Sequence, residues 1–516
     1  MFFVGINDGN VPKKADSRSV LSESDREYLE DKGIVMSASV REKAFTQRFY
    51  LYLIMTKSAE KLYMSYAVKN SEGAALMPSY IIRSMRKMFS HCLKLSYKDT
   101  AQQNSYVTIP HAAYSYEQTE TAANVDEDII DSLTGGRLVG SVTSFENFAE
   151  CPLRYYLRYG VDLKEREEFT FSPVNFGVVL HAVIREVCDE IKKNGESYYL
   201  ISEEKRREMV KRSVAAITDI YQNSILKDSS RNSFMIKRME DLADRTIWAM
   251  GEQLKCGDFV PFVFEHKFNM EVGDGDRKQL MSGTIDRVDI CENDTDVYVR
   301  IIDYKTGKKD FNIVKTYYGI DIQLMVYMEA AMKLVAKMRP GKNVLPAGVF
   351  YYNISDPIVS ATNESAEEIE DKIKGELRLK GMVNSDKDIA EKMDNTEGTS
   401  LNIPVSRKAD GGFDSRRSKV MNTEQFNMLG RFVDVRAVDT ADRIAGGDIR
   451  RSPYKDGQFS SCDRCPYGAV CGFSVDLPGC NYRKLKKFDD EVLWNNIKEG
   501  VDENGKKMDT GAEERD

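Results

Sequence analysis

Two apolar runs, over residues 284–290 and 297–303, flank a polar turn at Asn293, Asp294, Thr295 and Asp296. That pattern predicts a β-hairpin whose side chains alternate between faces. With the turn centred there, residues whose numbers sum to about 589 face each other. Asp286 and Asp303 meet that condition, and Lys305 follows on the face of Asp303 while Ile302 and Tyr304 point the other way. Upstream, Phe176, Val179, Leu180, Val183, Ile184 and Val187 make the apolar stripe of a helix over 176–191, with His181 at its edge. Residues 202–255 read as a long helical stretch, 259–268 as a strand carrying Glu265 and His266, and Gly273 to Asp276 as a turn. Downstream, a helix over 317–335 puts Gln323 and Tyr327 four residues apart on one face. A strand over 347–352, a polar insertion with one short strand over 384–413, and a helix over 423–444 complete this part. The order helix, strand, hairpin, helix, strand predicts an α/β domain with a mixed sheet.

Ahead of that domain, Ser141 or Thr143 is placed to cap a helix over 145–159 that contains Cys151. Residues 1–90 form a separate block with an opening strand, a helix over 41–55 and an alternating strand over 61–66. A chain that opens inside a core strand is expected to be the C-terminal part of something larger. Residues 91–139 read as a polar linker, most acidic over 114–131, residues 140–485 as the main domain, and 486–516 as an acidic tail of disordered composition.

A length of 516 residues allows about two to four domains. With 41% hydrophobic and 30% charged residues the chain is globular, and no apolar run approaches the ~20 residues of a membrane span. The start lacks a basic region and a small-residue cleavage site, so a cytoplasmic location is expected. There, nine cysteines point to reduced thiols or metal ligands instead of disulfides. A net charge of −8 exerts no general pull on nucleic acid, so DNA contacts must come from local basic groups. Arg416, Arg417 and Lys419, and the run from Arg483 to Lys487, are the candidates.

Like charges facing each other across a hairpin destabilise it. A divalent cation removes that penalty for Asp286 and Asp303, because Mg²⁺ takes hard oxygen ligands. Lys305 beside it would position a water, which together make the means of hydrolysing a phosphodiester. Glu265 is a weaker candidate for the site and reads first as a structural acid on its strand. Cys462, Cys465 and Cys471 have the spacing C-x2-C-x5-C, which suits zinc or an iron–sulfur centre. A fourth ligand is needed. Cys480 would make a local knuckle, and Cys151 would join two ends of the domain.

The segments CPLRYYLRYG, FGVVLHAVIRE, GTIDRVD, IIDYKTGK and DIQLMVY, followed by the terminal cysteines, resemble the nuclease domain of the AddB subunits of bacterial AddAB helicase–nucleases. The resemblance covers roughly 141–485. It implies a PD-(D/E)XK, restriction-endonuclease-like core with a mixed sheet, in which Asp286, Asp303, Lys305, His181, Gln323 and Tyr327 match the nuclease motifs. It implies Mg²⁺ on Asp286, Asp303, His181 and the backbone carbonyl of Tyr304. It also selects Cys151 to join Cys462, Cys465 and Cys471 around a [4Fe-4S] cluster. The segments VGINDGNVP, QRFYLYLIMTKSAEKLYMSY and PSYIIRSM look like the end of the second motor domain of superfamily 1 helicases. Thr56, Lys57 and Ser58 stand where those carry an arginine for ATP, and no phosphate loop is present, so ATP hydrolysis by this chain is not expected. The implied function is exonuclease action on single-stranded DNA, on the strand ending 5′, with an AddA-type motor subunit as partner in double-strand-break repair. The competing expectation is an architectural DNA-binding subunit with a vestigial nuclease. CRISPR-associated nucleases with a similar core and cluster are much shorter.

Overall fold

The structure, a computed structural model, describes residues 1–13, 22–34, 37–69, 75–89, 124–126, 128–130, 139–164, 173–220, 230–272, 279–360, 364–475 and 480–513. The chain divides into two units, Met1–Thr119 and Glu120–Asp516. The expected turn at Gly273 to Asp276 and most of the linker lie outside the described residues.

In the first unit, β1 (Phe2–Phe3) runs parallel to β2 (Tyr63–Met64). Asn7 locks the adjoining loops, donating from Nδ2 to the Ala67 carbonyl at 2.7 Å and accepting the Ala67 N–H at 3.0 Å. The helices α1 (Glu23–Asp31) and α2 (Val40–Thr56) each start with a capping box, Ser22 with Asp25 and Ser39 with Glu42, which satisfies orphan N–H groups at the helix start. A third helix, α3 (Tyr80–Met88), follows. No residue of α2 is buried, and Phe45, Phe49, Tyr50 and Tyr52 are exposed.

The second unit opens with β3 (Val139–Ser141), α4 (Val142–Glu150), α5 (Pro152–Tyr155) and a π-helical turn, Tyr156–Gly160. Three long helices follow, α6 (Pro173–Lys193), α7 (Glu203–Ile220) and α8 (Ser230–Lys255). Next come β4 (Val260–Val272), β5 (Gln279–Glu292), β6 (Asp296–Lys305), α9 (Ile313–Tyr317), α10 (Gln323–Met338) and β7 (Asn343–Asn353). The rest comprises α11 (Ala366–Glu376), β8 (Lys380–Asn384), α12 (Lys387–Met393), β9 (Val420–Met421), α13 (Thr423–Ala445), β10 (Tyr454–Asp456), β11 (Phe459–Ser460), α14 (Gly468–Cys471), β12 (Arg483–Lys484) and α15 (Asp490–Glu513).

Seven strands form one mixed sheet in the order β3-β5-β6-β7-β8-β9, with β4 antiparallel to β5. The expected mixed α/β sheet is therefore present. Its two faces carry separate cores. On one, the stripe of α6 (Val179, Leu180, Val183, Ile184, Val187, Ile191) packs with α7 and α8 against Ile302, Tyr304, Phe350 and Tyr352. On the other, α10 and α13 cover Ile285, Val288, Ile301 and Val349. Each buried aliphatic side chain contributes up to about 1.5–3 kcal/mol.

Several elements differ from the sequence expectation. The segment 384–413, expected as a polar insertion with one short strand, holds α12 and isolated β-bridges instead. The helix expected over 145–159 breaks at Cys151, whose backbone is extended (φ −167°, ψ 116°). Pro152 is the cause, since the ring disfavours helical geometry in the residue before it. The stretch 202–255 is two helices. The helix expected over 317–335 is also divided: Gly319 takes φ +76°, and α10 begins only at Gln323. The segment 486–516, read as an acidic tail, is helical over Asp490–Glu513, and Leu493 and Ile497 are buried beside α13. Their spacing of four is a helical stripe that the surrounding charge masked.

Candidate active site

The hairpin pairs Arg287 with Ile302, Val288 with Ile301 and so on to Glu292 with Val297, the register expected from the sequence. Asp296 opens β6 and the turn narrows to three residues. Asn293 closes it, with its Oδ1 accepting the N–H groups of Thr295 (2.9 Å) and Asp296 (2.7 Å).

Asp286 and Asp303 lie one step past the last paired residues. The same edge of β5 pairs with β3 from Leu280 to Ser282 and with β6 only from Arg287. Between these two pairings the sheet is open. Asp286 enters that opening and its Oδ2 accepts the N–H of Tyr304 at 2.7 Å, replacing a ladder bond with a carboxylate. The Tyr304 side chain itself belongs to the opposite core.

His181 reaches the opening from α6. Its Nδ1 lies 3.5 Å from Asp286 Oδ2 and 3.8 Å from Glu265 Oε1, and its ring meets Tyr304 edge-on. His181, Glu265 and Asp286 offer ligand atoms all within 4.8 Å of one another, a spacing that fits one cation. Glu265 is thus part of the cluster, where the sequence made it a weaker candidate and favoured a structural acid. It sits on β4 with φ +48°, a left-handed conformation that is costly for a residue with a side chain, typically ~1–3 kcal/mol. Phe264 and His266 pair on either side of it, so the strained residue is the one that faces Asp286.

Asp303 is buried and its Oδ2 pairs with the Lys305 ammonium. Burial and the charge of Asp286 push the Asp303 carboxyl up to about 6. Burial and Asp286 likewise raise Glu265. For His181, burial acts downward, but its contact with Asp286 and the charges of Asp286, Glu265 and Asp303 outweigh it, so the imidazole is raised. Negative charge exceeds what Lys305 offsets, and three carboxylates with one imidazole are the donor set of a hard divalent ion.

Gln323 and Tyr327 occupy the first turns of α10 on the face of the sheet that carries Asp303. Gln323 Nε2 donates to Tyr327 Oη at 2.9 Å, and the Tyr327 ring stands edge-on to Phe268. Burial raises the Tyr327 phenol, and the charges of Asp303 and Asp286 add to it.

The sequence model of the PD-(D/E)XK nuclease superfamily matches residues 140–472. The chain belongs to that superfamily. The run Asp303-Tyr304-Lys305 on β6 has the form (D/E)XK, and Asp286 stands on β5 before it. Among similar proteins are those named as the B-type subunit of an ATP-dependent helicase/deoxyribonuclease. The one from Clostridium acetobutylicum is 31% identical over 98% of this chain and 48% of its own length. The one from Lachnoclostridium phytofermentans is 32% identical over 100% and 48%, and the one from Caldanaerobacter subterraneus subsp. tengcongensis 30% over 100% and 49%. The chain spans about half the length of these curated relatives.

A second cluster lies in the part of the chain matched by the superfamily. Cys151 and the Cys462–Cys471 loop are drawn together by bonds other than sulfur: Leu153 N–H to Arg450 O (3.3 Å), Tyr467 Oη to Leu163 O (2.9 Å), and Arg483 to the Ala149 carbonyl. Burial pushes the thiols of Cys462 and Cys471 up, and the charges of Cys151 and Cys465 act on both in the same direction. Cys480 is buried too but is not among their leading neighbours. Of the basic DNA-contact candidates, Arg483 is engaged with Ala149 and Lys419 with Asp310 at 2.6 Å, while Arg416 and Arg417 are exposed.

Proposed function

We propose that the chain is a Mg²⁺-dependent DNA exonuclease acting on single strands, on the strand that ends 5′. The observation that carries this reading is the convergence of His181, Glu265 and Asp286 at the opening of the sheet, beside the Asp303–Lys305 pair. These residues fit a hard divalent cation, which Asp286, Glu265 and His181 would hold, with Asp303 and the Tyr304 carbonyl as further candidate ligands. When bound there, the cation supplies Lewis-acid charge to phosphodiester oxygens. Lys305, partly exposed while its partner Asp303 is buried, presents its ammonium to the opening and orients the attacking water. The Asp286 carboxylate fixes the Tyr304 backbone and so the spacing of Asp303 and Lys305. Gln323, held by Tyr327, presents an amide to the DNA strand or to the water.

The four cysteines, Cys151, Cys462, Cys465 and Cys471, fit an all-thiolate centre, and we assign them a [4Fe-4S] cluster. Thiolate ligands of this kind suit iron–sulfur centres. The relatives are named as one subunit of an ATP-dependent helicase/deoxyribonuclease, which supports a partner polypeptide. We assign that partner the ATP-driven motor, and the assembly a cytoplasmic role in repair of double-strand breaks by recombination. In that assembly residues 1–90 are the remnant of a helicase motor domain.

The test is digestion of 5′-labelled single-stranded DNA with Mg²⁺, comparing wild type with Asp303→Ala. Label release by wild type alone is expected. Equal digestion by both proteins, or release from the 3′ end only, contradicts the reading.

A further inference from the structure

The helix α10 carries Gln323 and Tyr327 but does not cap itself. Its N-cap is Ile322, which has no side chain able to accept the orphan N–H groups of the first turn. The acceptor comes from another helix. Glu146 of α4 receives the N–H of Ile322 at 2.9 Å and of Gln323 at 3.0 Å, both on Oε1. A carboxylate at that end is also favoured by the helix dipole.

The residues just before α10 are held from other directions. Asp321 accepts from Tyr351 Oη at 2.6 Å and pairs with Lys309 at 3.0 Å, and its carbonyl accepts from Thr316 Oγ1 at 2.8 Å. Lys309 in turn lies 4.5 Å from the Tyr351 ring centre. Glu146 therefore faces one cation, Lys309, and one acid, Asp321. Burial lifts its carboxyl to about 7, with Lys309 opposing.

We propose that Glu146 is a positioning residue of the nuclease site: it holds the start of α10 so that the Gln323–Tyr327 pair stands at the opening of the sheet. A local Ser or Asp at position 322 would cap the helix equally well as a helix. It would not tie the helix start to α4. The cap that is present fixes Gln323 relative to β3 and β5, because α4 follows directly from β3 and β3 pairs with β5 at Leu280 to Ser282. The hydrogen bonds of Glu146 go to the backbone at the start of α10, so it acts through Gln323.

This inference rests on the nuclease reading, and the experiment separates the two. The full chain is assayed with Mg²⁺ on labelled single-stranded DNA as wild type, Asp303→Ala, Glu146→Ala, Glu146→Gln, Gln323→Ala and the Glu146→Ala/Gln323→Ala pair. Hydrogen exchange at Ile322 and Gln323 and thermal melting are measured alongside. Glu146→Ala is expected to lower kcat by about tenfold to a hundredfold with KM unchanged, and to speed exchange of both amides. Glu146→Gln keeps an acceptor oxygen and is expected to restore both. The double variant is expected to be no slower than Gln323→Ala, the pattern of two residues acting as one unit. Full activity of Glu146→Ala or of Gln323→Ala overturns the proposal, and so do additive losses or failure of Glu146→Gln to rescue a folded protein. Cleavage that does not depend on Asp303 overturns the nuclease reading, and this proposal with it.

Discussion

Asp286 and Asp303 meet because a three-residue turn fixes the register of two strands, whereas Cys151 meets the C-terminal cysteines through contacts such as the Tyr467–Leu163 bond, which spans 304 residues. The first site is local and rigid, built on the sheet. Asp286 and Asp303 are buried there, and the fold holds them together against their repulsion. The second is assembled from short elements and turns at two distant points of the chain. Once filled, it would link those two points and restrain the chain between them. The carboxylate site should therefore govern chemistry with modest effect on folding, and the cysteine site the reverse.

The largest expected effect tests that division directly. Asp286→Ala or Asp303→Ala should lower Mg²⁺-dependent cleavage by about a thousandfold or more while leaving any iron–sulfur absorbance near about 400 nm intact. Cys151→Ser should do the opposite. The absorbance disappears and stability falls by about 4 kcal/mol, the scale of losing a long loop closure, measured by denaturant unfolding. Cys480→Ser should leave the absorbance unchanged. A Cys151→Ser protein that keeps its colour would erase the contrast between the two sites.

The next effect concerns the repulsion at the carboxylate site. Asp303 has its pKa raised to about 6 by burial and by Asp286, above the 3.8 of a free carboxyl. The folded state therefore binds the extra proton, and this group's destabilising effect, present at neutral pH, is relieved as pH falls through that value. In chelator, wild type should gain on the order of 2 kcal/mol relative to Asp303→Asn between pH of about 7 and about 4. Saturating Mg²⁺ at neutral pH should remove the difference in thermal melts.

Much of the sheet could be read from the sequence because alternation and a polar turn determine a hairpin's register. The two facing acids followed from that arithmetic. Glu265 did not, because nothing in its neighbours encodes φ +48°, and the register shift between Pro261 and Val263 moves the strand relative to β5. Glu146 was invisible for a different reason: it caps a helix 176 residues away. Cys151 could have been placed outside a helix, since Pro152 follows it. In α15 the acidic composition hid the four-residue spacing of Leu493 and Ile497.

Two smaller effects sharpen the picture. A methyl group on Gly283 would meet Phe268 at 2.7 Å and Tyr327 at 3.0 Å. Gly283→Ala should cost about 1–2 kcal/mol in unfolding and slow cleavage by displacing Tyr327. Lys419→Ala removes an exposed pair with Asp310 and should change stability by less than about 1 kcal/mol, with cleavage unaffected.

The cation site is expected where β5 and β6 part. Crystals of the protein soaked in Mn²⁺ should give an anomalous peak within about 2.3 Å of carboxylate oxygens of Asp286 and Glu265, with Asp303 turned from Lys305 towards it. A fully occupied crystal with no peak there, or with Mn²⁺ bound only elsewhere, would contradict that claim.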